Sequence, residues 1–229
     1  MNIKNFEESL GYAFNDPKLL EQAFTHRSYL NENRNLSVPH NERLEFLGDA
    51  VLELVITDFL YREFPEENEG VLTAYRSALV NATLLAEVSE KLGMNNFLLL
   101  SKGEARDIGR ARQYILANTY ESVTGAIYLD QGYEKAKKFI HDSVVPELPR
   151  ILKERLWQDA KSFFQEKAQE IHGQTPTYVL VGESGPDHDK CFTVGVRIGS
   201  EQIATGQGKS KQEAEQTAAR EGLNAKGWV

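Results

Sequence analysis

The chain has 229 residues, 41% of them hydrophobic and 26% charged, with a formal net charge of −8 at pH 7. This composition allows a packed core and excludes a chain that is disordered throughout. The single cysteine, Cys191, excludes an intramolecular disulfide framework and the four-cysteine zinc sites, and it predicts a reducing, cytoplasmic location. No segment resembles a secretory signal or approaches the length of a membrane span.

Residues 1–150 are predicted to be entirely helical. Apolar residues recur there at three- and four-residue spacing. The predicted helices cover 18–29, 41–64, 72–92, 112–130 and 133–145. Pro146 and Pro149 end this pattern, and the charged stretch 151–157 is predicted to be a linker.

In residues 158–229 the spacing of apolar residues changes, and the new pattern predicts a small α+β domain. The predicted order is helix 160–171, strands 178–181, 191–198 and 202–205, and helix 210–225. The strands are rich in β-branched and aromatic residues and are bounded by Gly, Pro and Asp. The predicted fold class is therefore an all-α domain followed by an α-β-β-β-α domain.

Three carboxylates are predicted to share one stripe of the helix 41–64. At 100° per residue, Glu42, Glu45 and Asp49 lie at roughly 0°, 300° and 340° around the helix axis. An acidic face exposed to solvent is the simplest interpretation. However, like charges at this spacing destabilise a helix unless something neutralises them. Gly48 lies in the middle of the same helix, where glycine is unfavourable, and this indicates a close approach by another backbone or a ligand.

A second pair of polar residues, Asn118 and Glu121, stands three apart on the predicted helix 112–130 in apolar surroundings. Taken alone, they are more typical of hydrogen-bonded core groups than of ligands. Combined with the carboxylate stripe, they offer the oxygen ligands that Mg²⁺ prefers.

The segment NERLEFLGDAVLEL resembles the signature of the ribonuclease III family. Other segments agree in order along the chain: AFTHRSYLNEN, EGVLTAYRSALVN, LLLSKGEAR and ILANTYESVTGAIYLDQG. The resemblance implies an endonuclease domain at 1–150 and a double-stranded-RNA-binding domain at 158–229. It implies Mg²⁺-dependent hydrolysis of double-stranded RNA, with Mn²⁺ as a substitute. The products would carry 5′ phosphates, 3′ hydroxyls and short 3′ overhangs.

The resemblance also assigns roles to the acidic residues. Glu45, Asn118 and Glu121 would be the metal-binding residues, and Asp49 and Glu121 would be the catalytic carboxylates of the same cluster. Glu42 would contact RNA or water at the edge of the site. Asn118 stands where the family usually has Asp, and Ser122 and Thr124 also depart from the usual pattern. We expect Asn118 to weaken metal binding rather than abolish activity, because an amide oxygen can ligate but carries no charge. We interpret the other two departures as packing changes.

A homodimer is a further implication. Phe46 points away from the acidic stripe, and in the family the aromatic residue at this position inserts into the partner subunit. An ordinary core phenylalanine is the alternative. Two sites related by a two-fold axis could cut the two antiparallel strands of one duplex.

The second domain is expected to bind RNA at three places. Ser210 and Glu213 are predicted to form a capping box at a helix start that Lys209 and Lys211 flank, and such a start can bind phosphate. A well-capped surface helix whose lysines have no special role is the alternative. The resemblance of GPDHDKCFTVGV and GQGKSKQEAEQTAA to double-stranded-RNA-binding domains implies further contacts. The implied RNA-binding residues are Ser162, Gln165, Glu166, Gln169, Pro186, His188, Lys209, Ser210, Lys211 and Gln212. Because Gln212 replaces a common Lys, we expect modest affinity with a shallow salt dependence.

The expected function is a homodimeric endoribonuclease that processes ribosomal RNA precursors and messenger RNA. A catalytically weakened RNA-binding protein, with Asn118 as the cause, is the alternative. A metal-buffering helical domain joined to an unrelated α/β module is the alternative outside nucleic acids.

Overall fold

The computed structural model describes residues 3–186 and 190–228. The chain divides into two compact units, Met1–Trp157 and Gln158–Val229. Within the described ranges, no helix combines the length and apolar character that a membrane crossing requires.

The first unit is helical, as the sequence predicts. Its α-helices are α1 (Ile3–Leu10), α2 (Pro17–Phe24), α3 (Arg27–Glu32), α4 (Glu42–Glu63), α5 (Glu69–Val80), α6 (Ala82–Lys91), α7 (Arg110–Gln131), α8 (Tyr133–Ser143) and α9 (Leu148–Lys153). Short 3-10 helices lie at Met94–Phe97, Glu104–Arg106 and Val145–Glu147. In the described part of this unit, β structure is limited to an isolated bridge between Thr25 and Leu99.

Two predicted helices are each divided in two. The predicted helix 18–29 is wrong as a single element, because Thr25 and His26 are extended and His26 caps the start of α3. The predicted helix 72–92 is broken at Asn81, which ends α5 and accepts a hydrogen bond from the main-chain N–H of Leu84 at the start of α6. In both cases a capping side chain interrupts the helix while the apolar period continues on either side.

Helices α4 and α7 pack along each other through the core of the first unit. Their apolar sides are buried, with Leu52, Ile56 and Val123 among the inaccessible residues. Two glycines allow this contact to be unusually close. A Cβ on Gly48 would lie 1.7 Å from the carbonyl oxygen of Glu121, and one on Gly125 would lie 2.3 Å from that of Leu44.

The segment 151–157, predicted as a linker, packs against the first unit. Ile151 is buried in its core, and Leu156 and Trp157 pack onto that core, with the Trp157 ring edge-to-face on Tyr75 at 4.9 Å. Pro149 does not end helical structure either, because it lies in the first turn of α9, where a missing N–H costs no hydrogen bond.

The second unit has the predicted α-β-β-β-α order. It consists of α10 (Ala160–His172), β1 (Thr177–Ser184), β2 (Cys191–Ile198), β3 (Glu201–Gly208) and α11 (Lys211–Lys226). The three strands form an antiparallel sheet in the order β1-β2-β3. Its core joins Phe164 of α10, Val194 and Val196 of β2, and Ala218 and Leu223 of α11.

Contacts between α10 and α11 align their first turns. Lys161 pairs with Glu215 at 2.6 Å, and the Gln216 amide donates a hydrogen bond to Asp159, the N-cap of α10. The close approach of β3 to α11 depends on Gly206, where a Cβ would lie 2.1 Å from the main-chain nitrogen of Ala218. The polar starts of both helices are therefore held in one arrangement.

Candidate active site and nucleic-acid interface

The carboxylate stripe lies on the first turns of α4. Glu42 and Glu45 occupy the first turn and Asp49 the next. Negative charge is favourable here, because the N-terminus of a helix carries partial positive charge. Glu42 and Asp49 are exposed and Glu45 is half-buried.

Helix α7 brings its own polar residues to this stripe. Gly48 lies against the main chain of Glu121, and the half-buried Glu121 carboxyl is close enough to Asp49 and Glu45 for their charges to raise its pKa. The Asn118 amide lies close enough to Glu45 to oppose the rise in the pKa of its carboxyl. The structure thus brings together Glu45, Asp49, Asn118 and Glu121, with Glu42 at the edge.

The electrostatics of the cluster are those of crowded, partly buried carboxylates. Burial raises the pKa of Glu121 to about 8, with the charges of Asp49, Glu45 and Glu53 adding to the rise. Burial also raises the pKa of Glu45, together with the charges of Glu42 and Asp49, against the opposing effect of the Asn118 amide. A bound cation would offset both the free-energy cost of burying these charges and the repulsion between them.

Glu53 is a carboxylate beside the cluster that sequence reasoning missed. It lies one turn beyond Asp49 on α4, at roughly 20° on the same helical wheel, and its charge acts on Glu121. The spacing that identified the other carboxylates could have identified it. The Arg76 Nε lies 3.0 Å from the Glu53 carboxylate, whereas Asp49 forms no ion pair within the described part of the chain.

The donor chemistry fits a hard cation. The available ligands are carboxylate and amide oxygens, as Mg²⁺ prefers. In the described part of the chain, the side chains as they stand form no group of three or more His, Cys, Asp or Glu residues that could hold a metal ion. The residues therefore fit a Mg²⁺ ion through their oxygen atoms and through the crowding of their carboxyl groups.

The two other departures from the family pattern are buried on α7. The Ser122 hydroxyl donates a hydrogen bond to the carbonyl oxygen of Asn118 at 2.7 Å, and the carbonyl oxygen of Asn41 lies 3.4 Å from the same hydroxyl. The Thr124 hydroxyl donates to the carbonyl oxygen of Tyr120. Both residues act in packing, and Ser122 links α7 to the residue that precedes α4.

Phe46 is not a core residue of this chain: 82% of it is exposed. Leu54 and Tyr61 are also exposed, and they follow it at eight and fifteen residues along one side of α4. A groove lies beside this apolar stripe, with a volume of about 470 Å³. Its lining residues include Thr57, Leu60, Tyr61, Leu72 and Arg76.

The residues of α10 predicted to contact RNA share one exposed face. They are Ser162, Gln165, Glu166 and Gln169. Pro186, beyond β1, is also exposed, whereas His188 lies outside the described residues.

At the start of α11, Ser210 is the N-cap that the sequence predicts, and Glu213 reaches back to the residue before it. Ser210 accepts a hydrogen bond from the main-chain N–H of Glu213, and the Glu213 carboxylate accepts one from the main-chain N–H of Lys209. The Lys211 ammonium lies over the Phe192 ring, 5.9 Å from its centre. Lys209, Lys211 and Gln212 are exposed around this helix start, which is a suitable position for phosphate contacts.

Comparisons with known proteins agree with both units. The family model described as Ribonuclease-III-like matches residues 16–148. The model described as Double-stranded RNA binding motif matches residues 160–226.

Similar full-length relatives are named Ribonuclease 3. The chain is 43% identical to that of Bdellovibrio bacteriovorus over 224 residues, covering 97% of this chain and 95% of the relative. It is 47% identical to that of Natranaerobius thermophilus over 218 residues, covering 95% and 94%. A crystal structure of the ribonuclease III nuclease domain from Campylobacter jejuni is 38% identical, covers 65% of this chain and 97% of that domain, and has a TM-score of 0.57.

Proposed function

This chain belongs to the ribonuclease III family and is an endoribonuclease that acts on double-stranded RNA, and we propose that it cleaves with Mg²⁺ held between α4 and α7. The observation that carries this proposal is the main-chain contact of α4 with α7 at Gly48 and Glu121, which brings the Glu121 carboxyl near Asp49 and Glu45. Burial, with the charges of Asp49 and Glu45 adding to it, raises the pKa of Glu121 to about 8. Binding of a divalent cation would stabilise the ionised carboxylates of such a cluster.

Each residue has a separate task in the proposed site. Glu45 and Glu121 bind the metal directly, and the amide oxygen of Asn118 ligates it or holds one of its waters. Asp49 accepts protons or orients water as the remaining carboxylate, and Glu42 contacts RNA at the edge. When bound, Mg²⁺ supplies an activated water and stabilises the leaving 3′ oxygen. Mn²⁺ offers similar oxygen-ligand chemistry and should substitute.

The products expected from this hydrolysis are duplexes with 5′ phosphates, 3′ hydroxyls and short 3′ overhangs. Two active sites are needed for such ends, and the apolar stripe of α4 supports a homodimer. Phe46 of one copy would enter the groove beside Tyr61 and Leu72 of the other, since antiparallel packing of two α4 helices places the start of one near the end of the other. A 39%-identical nuclease domain from Campylobacter jejuni is itself described by flexibility in its region involved in dimer formation.

The second unit is proposed to hold the duplex for the first. The exposed polar face of α10, the segment at Pro186 and His188, and the capped start of α11 would contact successive grooves and the phosphates between them. The fixed alignment of α10 and α11 supports this arrangement, because Lys161 and Asp159 tie the first turn of α10 to α11.

In the cell, such an enzyme is expected in the cytoplasm, processing ribosomal RNA precursors and messenger RNA. Residues 1–150 would carry the cleavage activity, and residues 158–229 the RNA affinity.

Cleavage of a plain RNA duplex under a Mg²⁺ titration tests the proposal. The parent protein should cut the duplex in a Mg²⁺-dependent manner, and EDTA should abolish cleavage. Glu121→Ala should bind the duplex without cutting it. Cleavage that survives both Glu121→Ala and EDTA would refute the metal site. Binding without cleavage at any Mg²⁺ concentration would favour the alternative of a weakened RNA-binding protein.

A further inference from the structure

Four carboxylates on one side of α4, Glu42, Glu45, Asp49 and Glu53, differ in their cationic partners. Glu42, at one end, pairs with Arg27 at 3.3 Å, and Glu53, at the other end, pairs with Arg76 at 3.0 Å. Across residues 3–186 and 190–228, neither Glu45 nor Asp49 forms an ion pair with a protein cation. The protein therefore neutralises the ends of the stripe and leaves its middle to an external cation.

The two terminal ion pairs are not equivalent. The Arg27 side chain is 69% exposed, and an ion pair in such a position holds its partner weakly. The side chains of Arg76 and Glu53 are only 35% and 37% exposed. The Arg76 guanidinium also donates a second hydrogen bond, 3.1 Å long, to the Thr57 hydroxyl one turn further along α4.

Two fixed partners on α4 define the position of the Arg76 guanidinium, because its donors lie in a rigid plane. The Glu53 carboxylate is thereby held on the α5 side of α4, while its charge still acts on Glu121. Without Arg76, Glu53 would be a fifth oxygen-bearing side chain available to the cluster of Glu45, Asp49, Asn118 and Glu121.

We propose that Arg76 is a positioning residue that withholds Glu53 from metal coordination, so that the metal-binding part of the stripe ends at Asp49. This inference rests on the proposed metal site. Its physical reason is that Mg²⁺ binds productively through few protein carboxylates and retains waters for substrate phosphates. A further carboxylate would compete with those waters.

Binding of Mn²⁺ alone to the full-length protein, without RNA, tests the inference by the electron paramagnetic resonance signal of free Mn²⁺. The variants are Arg76→Gln, Glu53→Gln with Arg76→Gln, and Glu121→Gln. Arg76→Gln should tighten Mn²⁺ binding by about fivefold, because it removes a nearby positive charge and releases Glu53. The double variant should return to within about twofold of the parent protein, since it removes the freed carboxylate as well.

The outcomes separate this inference from the proposed function. Glu121→Gln removes a charged ligand and should weaken Mn²⁺ binding at least tenfold, which corresponds to about 1.4 kcal/mol. An unchanged affinity would overturn the metal site itself. If Glu121→Gln weakens binding and the double variant weakens it equally, Glu53 is a ligand and the inference is wrong. If Arg76→Gln and the double variant bind Mn²⁺ alike, Arg76 has only a structural role.

A matched control makes the same charge change at another arginine. Arg62→Gln removes the arginine that pairs with Asp58 on α4 and leaves Arg76, Thr57 and Glu53 in place, so it should leave Mn²⁺ affinity unchanged. If Arg76→Gln does not fold, the double variant decides alone: parent-like affinity supports the inference, and a loss as large as that of Glu121→Gln overturns it.

Discussion

Gly48 of α4 lies directly against Glu121 of α7, such that a Cβ on Gly48 would stand 1.7 Å from the Glu121 carbonyl oxygen. The two halves of the carboxylate cluster are carried by these two helices. Their separation is therefore set by main-chain contact, and the absence of a side chain at Gly48 is a condition for the site to form.

Gly48→Ala should damage stability and the site together. The added methyl group meets main-chain atoms that cannot move aside, so we expect a loss of about 3 kcal/mol in the free energy of unfolding. The separation of α4 from α7 should also weaken Mn²⁺ binding. Urea unfolding and Mn²⁺ titration measure the two effects. Gly103→Ala is the control, because its Cβ would meet nothing closer than 3.8 Å and its backbone is already helical. Equal stability of the two variants would contradict the argument.

The raised pKa of Glu121 predicts a pH dependence of stability in the metal-free protein. Since the folded state binds this proton more tightly than the unfolded state, the contribution is fully present below about pH 4.5 and is lost as pH rises through about 8. In EDTA, the parent protein should therefore lose stability relative to Glu121→Gln over this range, on the order of 1 kcal/mol or more. Urea unfolding of both proteins at pH 5, 7 and 8.5 measures the difference. A difference that does not change with pH would show that burial and repulsion do not act on this carboxylate.

Much of the architecture follows from periodicity and from the family signature, and the exceptions have physical causes. The α-β-β-β-α order and the position of α4 were predictable because apolar spacing changes clearly between the units. The breaks at His26 and Asn81 were not, since one capping side chain outweighs a period that continues past it. The ion pair between Glu53 and Arg76 joins residues on different helices, and helical spacing cannot predict such a partner.

Asn118→Asp should lower the Mg²⁺ requirement. The Asn118 side chain lies close enough to Glu45 to affect the pKa of its carboxyl, so a carboxylate at position 118 adds negative charge within the cluster. We expect half-maximal cleavage of an RNA duplex at a Mg²⁺ concentration about tenfold lower, which corresponds to about 1.4 kcal/mol. Cleavage rates across a Mg²⁺ titration measure the shift. An unchanged or higher Mg²⁺ requirement would show that this position does not contribute to metal binding.

Phe46→Ser should separate the proposed homodimer without unfolding the protomer. Because the side chain is 82% exposed within one chain, its loss removes no core contact, whereas an aromatic anchor at an interface is worth about 2 kcal/mol or more. Sedimentation velocity over a range of concentrations measures the dissociation constant, and circular dichroism reports folding. Leu129→Ser changes an exposed apolar residue on a different helix, α7, and should leave association unchanged. If both substitutions weaken association equally, or if neither weakens it, the α4 stripe is not the interface.

Lys211→Gln should reduce the salt dependence of RNA binding. Lys211 stands at the capped start of α11, held near the Phe192 ring. One lost phosphate contact lowers the slope of log K against log salt by about 1 and weakens binding alike for duplexes of different sequence. Fluorescence anisotropy at several salt concentrations, with the full-length chain and EDTA to prevent cleavage, measures the slope. The control, Lys226→Gln, makes the same charge change at the opposite end of α11, where Lys226 pairs with Glu201. If both substitutions lower the slope equally, binding responds to net charge and not to a phosphate site at the start of this helix.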